Sequence, residues 1–129
     1  MKLVFGGAYQ GKTALAMKKY DLSEADIEVC LENILPDFGK KCLSHIERFA
    51  LYCVKNGLEP IDELLRLAPD IDEKIIISDD ISCGVVPVDK TERAWREAEG
   101  RMMSRLAQRA DEVTRVFCGI AQTLKGEGK

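Results

Sequence analysis

With 129 residues, 46% of them hydrophobic and 32% charged, the chain carries enough apolar material for one core and is not disordered. A net charge of −3 argues against a nucleic-acid footprint, and no apolar run nears the roughly 20 residues of a membrane span. Five cysteines without C-x-x-C spacing, accompanied by a single histidine, argue against a zinc site. The expectation is a single cytoplasmic domain over residues 1–129, with no signal peptide, no membrane span and no nucleic-acid partner.

At the start of the chain, Leu3-Val4-Phe5 reads as a short buried strand. Gly6-Gly7-Ala8-Tyr9-Gln10-Gly11-Lys12-Thr13 follows and fits G-x-x-x-x-G-K-[ST] at every fixed position, and Thr13–Lys19 reads as the first turns of a helix. Strand, loop and helix in that order are the context in which such a loop works. Its backbone N–H groups converge on phosphates, helped by the positive end of the helix; the lysine reaches the β- and γ-phosphates and the hydroxyl joins Mg²⁺. The eight residues are therefore candidate nucleotide-binding residues, Lys12 a candidate catalytic residue and Thr13 a candidate metal ligand. The competing explanation is a glycine-rich strand–helix turn with no ligand.

Further along, Ile27–Leu31 alternates as a second short strand, and Pro36 separates it from a helix. In that helix Cys42, Ile46, Phe49, Ala50 and Cys53 share one face at 3.6-residue spacing. His45 lies about 60° off this seam at ~100° per residue, as a half-buried residue bordering the apolar face would. Asn56-Gly57 stops the helix, and Pro60 opens another through Leu67. Ile75-Ile76-Ile77 is a β-branched strand of the kind buried in parallel sheets, ending in Ser78-Asp79-Asp80. A carboxylate there lies at the sheet edge where nucleotides bind, so Asp79 and Asp80 are candidates to hold Mg²⁺ or to accept a substrate proton, with a plain polar strand end as the alternative. A loop over 82–88 carries Gly84, suited to positive φ, and Cys83, the one cysteine outside apolar surroundings. Asp89 N-caps a helix with Trp95, Ala98, Met102 and Leu106 on one stripe. The arginines of this helix read as solvated, ion-pairing residues. Val113–Cys118 is a strand broken by Gly119 before Ile120–Leu124. Alternating strands and helices give an α/β class with a mostly parallel sheet flanked by helices.

From Ser78 onward the chain resembles one family. Asp79-Asp80-Ile81-Ser82-Cys83-Gly84-Val85-Val86-Pro87 lies along N-E-V-G-x-G-I-V-P. Arg93-Ala94-Trp95-Arg96-Glu97-Ala98-Glu99-Gly100 lies along R-x-F-R-D-x-x-G, and Leu106-Ala107-Gln108-Arg109-Ala110-Asp111-Glu112-Val113 along L-A-x-x-A-D-x-V. Gly119–Lys125 follows G-x-P-x-x-x-K with Ala121 for proline, and the first loop takes the form G-G-A-x-x-G-K-[ST]. These motifs, over residues 1–16 and about 75–125, are similar to the CobU-type family of adenosylcobinamide kinases and adenosylcobinamide-phosphate guanylyltransferases.

The resemblance implies a three-layer, RecA-like P-loop domain, trimeric in known members. It implies transfer of the γ-phosphoryl group of ATP or GTP to the aminopropanol hydroxyl of adenosylcobinamide, in cobalamin biosynthesis. Asp80 stands at the family glutamate, and Arg93 and Arg96 stand at family arginines expected to meet substrate or a neighbouring subunit. Many members also pass GMP through a guanylylated histidine. His45 is the one residue of that type here, but the A-T-x-x-x-x-D-x-E-M and H-x-x-x-R-P-x-x-W segments have no counterpart. The expectation is thus a kinase in which guanylyl transfer is not the main activity. Tyr9-Gln10 for Arg-Ser and Asp79-Asp80 for Asn-Glu leave a rival open: a P-loop regulatory or assembly protein that binds nucleotide without turnover. A kinase acting on an unrelated small alcohol is a third alternative.

Overall fold

The computed structural model describes residues 1–7, 11–81 and 89–126. Six strands form one sheet: β1 (Lys2–Gly6), β2 (Ile27–Val29), β3 (Cys42–Ser44), β4 (Ile75–Asp79), β5 (Glu112–Phe117) and β6 (Ile120–Lys125). Their spatial order is β2-β3-β4-β1-β5-β6, parallel throughout except for the antiparallel β5–β6 hairpin at one edge. Among the described residues, four α-helices accompany them: α1 (Lys12–Lys19), α2 (Ile46–Lys55), α3 (Pro60–Leu67) and α4 (Lys90–Arg109).

The two-residue period of the strands divides the core. Leu3, Leu43 and Ile76 face α2, α3 and α4, where Ile46, Phe49, Leu64, Met102 and Leu106 are buried against them. Val4, Cys42 and Ile77 point the other way, onto Ala16 and Leu22 in and after α1. Runs of apolar residues such as Ile75-Ile76-Ile77 are what a strand covered on both faces requires, and each fully buried side chain contributes about 1.5–3 kcal/mol. Pro60 at the first turn of α3 and Asp89 before α4 set those helix starts, the Asp89 carboxylate accepting the Thr91 N–H at 2.7 Å. Gly6 is required by packing: a Cβ there would stand 2.3 Å from the Val116 carbonyl oxygen of β5.

Three expectations change. The segment after Pro36 is not helical to Cys53; Cys42-Leu43-Ser44 forms β3, inserted between β2 and β4, and the helix begins only at Ile46. Ile46, Phe49, Ala50 and Cys53 do share a buried face, but Cys42 packs on the opposite side of the sheet. The second strand stops at Val29, and Leu31 instead bridges to Ile34 in a turn. Cys118 is exposed, at φ 51° in the β5–β6 turn, whereas Cys30, Cys42 and Cys53 are buried free thiols. Among the described residues, no helix is long and apolar enough to cross a membrane.

Candidate functional site

The crossover after β1 carries α1 on one face of the sheet, and the crossover after β4 carries α4 on the other. Strands β1 and β4 are neighbours, so the connections diverge between them and leave a crevice at their carboxyl ends. That is where open α/β sheets bind ligands. Register places Gly6 beside Asp79, and the Asp80 N–H donates to the Gly6 carbonyl at 2.7 Å.

Lys12 and Asp79 meet in this crevice. The Lys12 ammonium, only 6% exposed, lies 2.6 Å from Asp79 Oδ1 and donates to the Gly7 carbonyl at 2.7 Å. The helix start beneath it has Gly11 at φ 86° as N-cap, no side-chain cap and no acidic residue in its first turn. An uncapped helix N-terminus beside a buried ammonium is an environment suited to an anion. Thr13 is half-buried in the same turn, and Asp80 is half-buried at the end of β4. Ala8, Tyr9 and Gln10, like Cys83 and Gly84, lie outside the described residues.

His45 belongs to this crevice, which corrects its place on the border of a helix's apolar face. It follows β3, adopts φ 57° as the N-cap of α2, and so stands at the sheet edge beside Asp79. Its Nδ1 is 3.0 Å from Glu47 Oε2 and 3.7 Å from Asp79 Oδ2. Glu47 is buried; its Oε1 accepts the Asp79 N–H at 2.9 Å, and its carbonyl accepts the Trp95 indole N–H at 2.8 Å. Trp95 is partly buried against the core beneath.

A second buried carboxylate comes from α4. Glu99 Oε1 accepts from Ser78 Oγ at 3.1 Å, and burial pushes its pKa up to about 7, with the charges of Glu47 and Asp80 adding to the rise against the Ser78 hydrogen bond. Glu99 and Asp80 help line a cleft of about 300 Å³ with Leu3, Phe5, Met103 and Ala107. Sequence reasoning missed Glu47 and Glu99, although both interrupt apolar stripes, next to Ile46 and Ala98. A charged residue on a buried stripe is the available signal. Arg93 is exposed and Arg96 half-buried in the first turns of α4, and both have polar or electrostatic partners. The expected ion pairs of this helix reach other elements: Arg101 pairs with Glu59 at 3.0 Å and Arg109 with Asp72 at 2.7 Å.

These features define an α/β protein with a mostly parallel sheet and an acidic crevice at its switch point, with a buried lysine on one side. A protein-family model described as cobinamide kinase / cobinamide phosphate guanyltransferase (CobU) matches residues 26–124. The chain belongs to that family, whose members modify cobinamide in cobalamin biosynthesis. The matched stretch begins after α1 and takes in the middle of the chain, β3 and α2 included, which the motifs had left unaligned. The Gly6–Thr13 loop lies outside it. No curated protein matches the chain.

Proposed function

We propose that this protein is a nucleotide-dependent kinase of a shortened CobU type, built on a RecA-like P-loop domain. It would transfer the γ-phosphoryl group of ATP or GTP to the aminopropanol hydroxyl of adenosylcobinamide. The observation that carries the reading is the buried Lys12 ammonium, held by Asp79 and the Gly7 carbonyl where β1 passes into α1. In this reading the triphosphate lies along Gly6–Thr13, and Lys12 exchanges the Gly7 carbonyl for a phosphate oxygen. The Thr13 hydroxyl and the Asp80 carboxylate are hard oxygen donors of the kind Mg²⁺ takes, so they would hold the ion, which supplies charge neutralisation for the transferring phosphoryl group. Asp79 keeps Lys12 in place, and Asp79 or Asp80 accepts the hydroxyl proton. Positioning and electrostatics then provide most of the rate enhancement.

The 300 Å³ cleft beside Asp80 is at the small end of ligand pockets and suits a hydroxyl-bearing arm rather than a macrocycle. Arg93 and Arg96, in the first turns of α4, would meet substrate or a second subunit. Phe117, Ile120 and Leu124 on the β5–β6 hairpin are all more than half exposed, which supports a homo-oligomer, a trimer in the family's manner.

Incubation with [γ-³²P]ATP or GTP, Mg²⁺ and adenosylcobinamide tests the reading. Label on the corrinoid is expected. Nucleotide binding without label would favour a non-catalytic P-loop protein, and label on another alcohol would keep the kinase and change its substrate. A parallel [α-³²P]GTP run shows whether His45 carries GMP.

A further inference from the structure

Among the described residues, the His45, Glu47 and Asp79 side chains bring three ligand atoms of metal-binding type within 4.8 Å of one another. They come from two elements, the β3–α2 junction and the end of β4, and they combine an imidazole nitrogen with two carboxylates. We propose that His45 Nδ1, Glu47 Oε2 and Asp79 Oδ2 bind one divalent transition-metal ion of the Mn²⁺, Co²⁺ or Zn²⁺ class, at a site separate from the Mg²⁺ position at Thr13 and Asp80.

The spacing fits. Ligand atoms about 2.1 Å from one ion and 90–120° apart lie about 3.0–3.6 Å from each other. The separations from His45 Nδ1 are 3.0 Å to Glu47 and 3.7 Å to Asp79. The ligand atoms of the third pair, Glu47 and Asp79, lie within 4.8 Å of each other.

Charge points the same way. Glu47 is 5% exposed, and a carboxylate so buried calls for cationic compensation. Its Oε1 accepts the Asp79 N–H and its Oε2 lies 3.0 Å from His45 Nδ1, while the Arg48 guanidinium stays at 3.8 Å, beyond hydrogen-bond distance. Asp79 divides its two oxygens, Oδ1 toward Lys12 and Oδ2 toward His45, so it can bridge the ammonium and an ion. Glu47 and Asp79 supply anionic donors to the ion, and the imidazole sets the selectivity. A nitrogen donor suits transition ions, whereas Mg²⁺ prefers an all-oxygen octahedron that retains water.

The proposal does not depend on the kinase reading, and it is tested without nucleotide. The full chain is titrated with Co²⁺ while its visible absorption and the fluorescence of Trp95 are followed. Trp95 is the single tryptophan, and its indole N–H is bonded to the Glu47 carbonyl. One equivalent of Co²⁺ is expected to bind in the presence of excess Mg²⁺, with a visible band typical of nitrogen–oxygen ligation. His45→Ala should weaken it at least tenfold, while Thr13→Ala and Asp80→Asn leave it unchanged. His45→Gly, which accommodates φ 57°, gives the same readout should the alanine variant unfold. Absence of saturable binding, or binding that survives loss of the imidazole in a folded variant, overturns the site.

Discussion

Replacing Glu99 with glutamine should stabilise the protein, and by an amount that grows with pH. The wild-type carboxyl is pushed up to about 7 from the ordinary 4.5 because it is buried and faces the charges of Glu47 and Asp80. A carboxyl with a raised folded-state pKa favours the native state fully below its unfolded value. That contribution is lost as pH climbs from about 4.5 to about 7, because the unfolded chain releases the proton first. At about 1.4 kcal/mol per tenfold change in proton affinity, the loss is complete near pH 8 and amounts to about 3 kcal/mol. Glutamine keeps an oxygen to accept the Ser78 hydroxyl and never ionises. Its advantage over the wild type should therefore widen by about 2–3 kcal/mol between about pH 5 and pH 8, or by roughly 10 °C in Tm for a chain of this size. Thermal unfolding of both proteins by circular dichroism across that range measures it. A difference that stays flat with pH would refute the burial and charge assignment of Glu99.

Lys12→Ala should cut phosphoryl transfer by at least about a hundredfold, since it removes the cation aimed at the transferring group, and wild-type turnover would dismiss Lys12 from the chemistry. Gly6→Ala should destabilise by about 2–3 kcal/mol, because β1 must move away from the Val116 carbonyl, and an unchanged urea midpoint would show that the strands do not pack so closely. In a Cys83→Ser background, one native thiol, Cys118, should react with a thiol reagent, while Cys30, Cys42 and Cys53, each pushed up to about 12 chiefly by burial, react only on unfolding. Ile120→Asp, on the exposed hairpin, should lower the mass measured by light scattering to that of the monomer, and an unchanged mass would remove the hairpin from any interface.

Local chemistry was legible in the sequence wherever one short segment decided the outcome. Pro60 and Asp89 mark helix starts through constraints within a single turn, and α3 runs Pro60–Leu67 as its pattern indicates. Ile75-Ile76-Ile77 followed by aspartates places a carboxylate at a strand end, and the Lys12 ammonium lies 2.6 Å from Asp79 in the fold. The β3 segment was not legible, because a three-residue buried strand followed by a helix leaves the same apolar spacing as one longer helix. Only pairing with Ile27–Val29 on one side and with Ile75 and Ile76 on the other makes Cys42–Ser44 a strand.

The crevice depended on that choice. With β3 in the sheet, His45 reaches Asp79, 34 positions away in the chain, rather than the flank of a helix. Glu47 and Glu99 enter for the same reason, through contacts with Asp79 and Ser78 that no local pattern encodes. Local sequence sets the helix start at Lys12, the strand-end carboxylates and the period of the helices, each fixed by neighbours a few residues apart. The tertiary structure alone decided which charges share the crevice, because hydrogen bonds between distant segments form only once the sheet order brings the strand ends together.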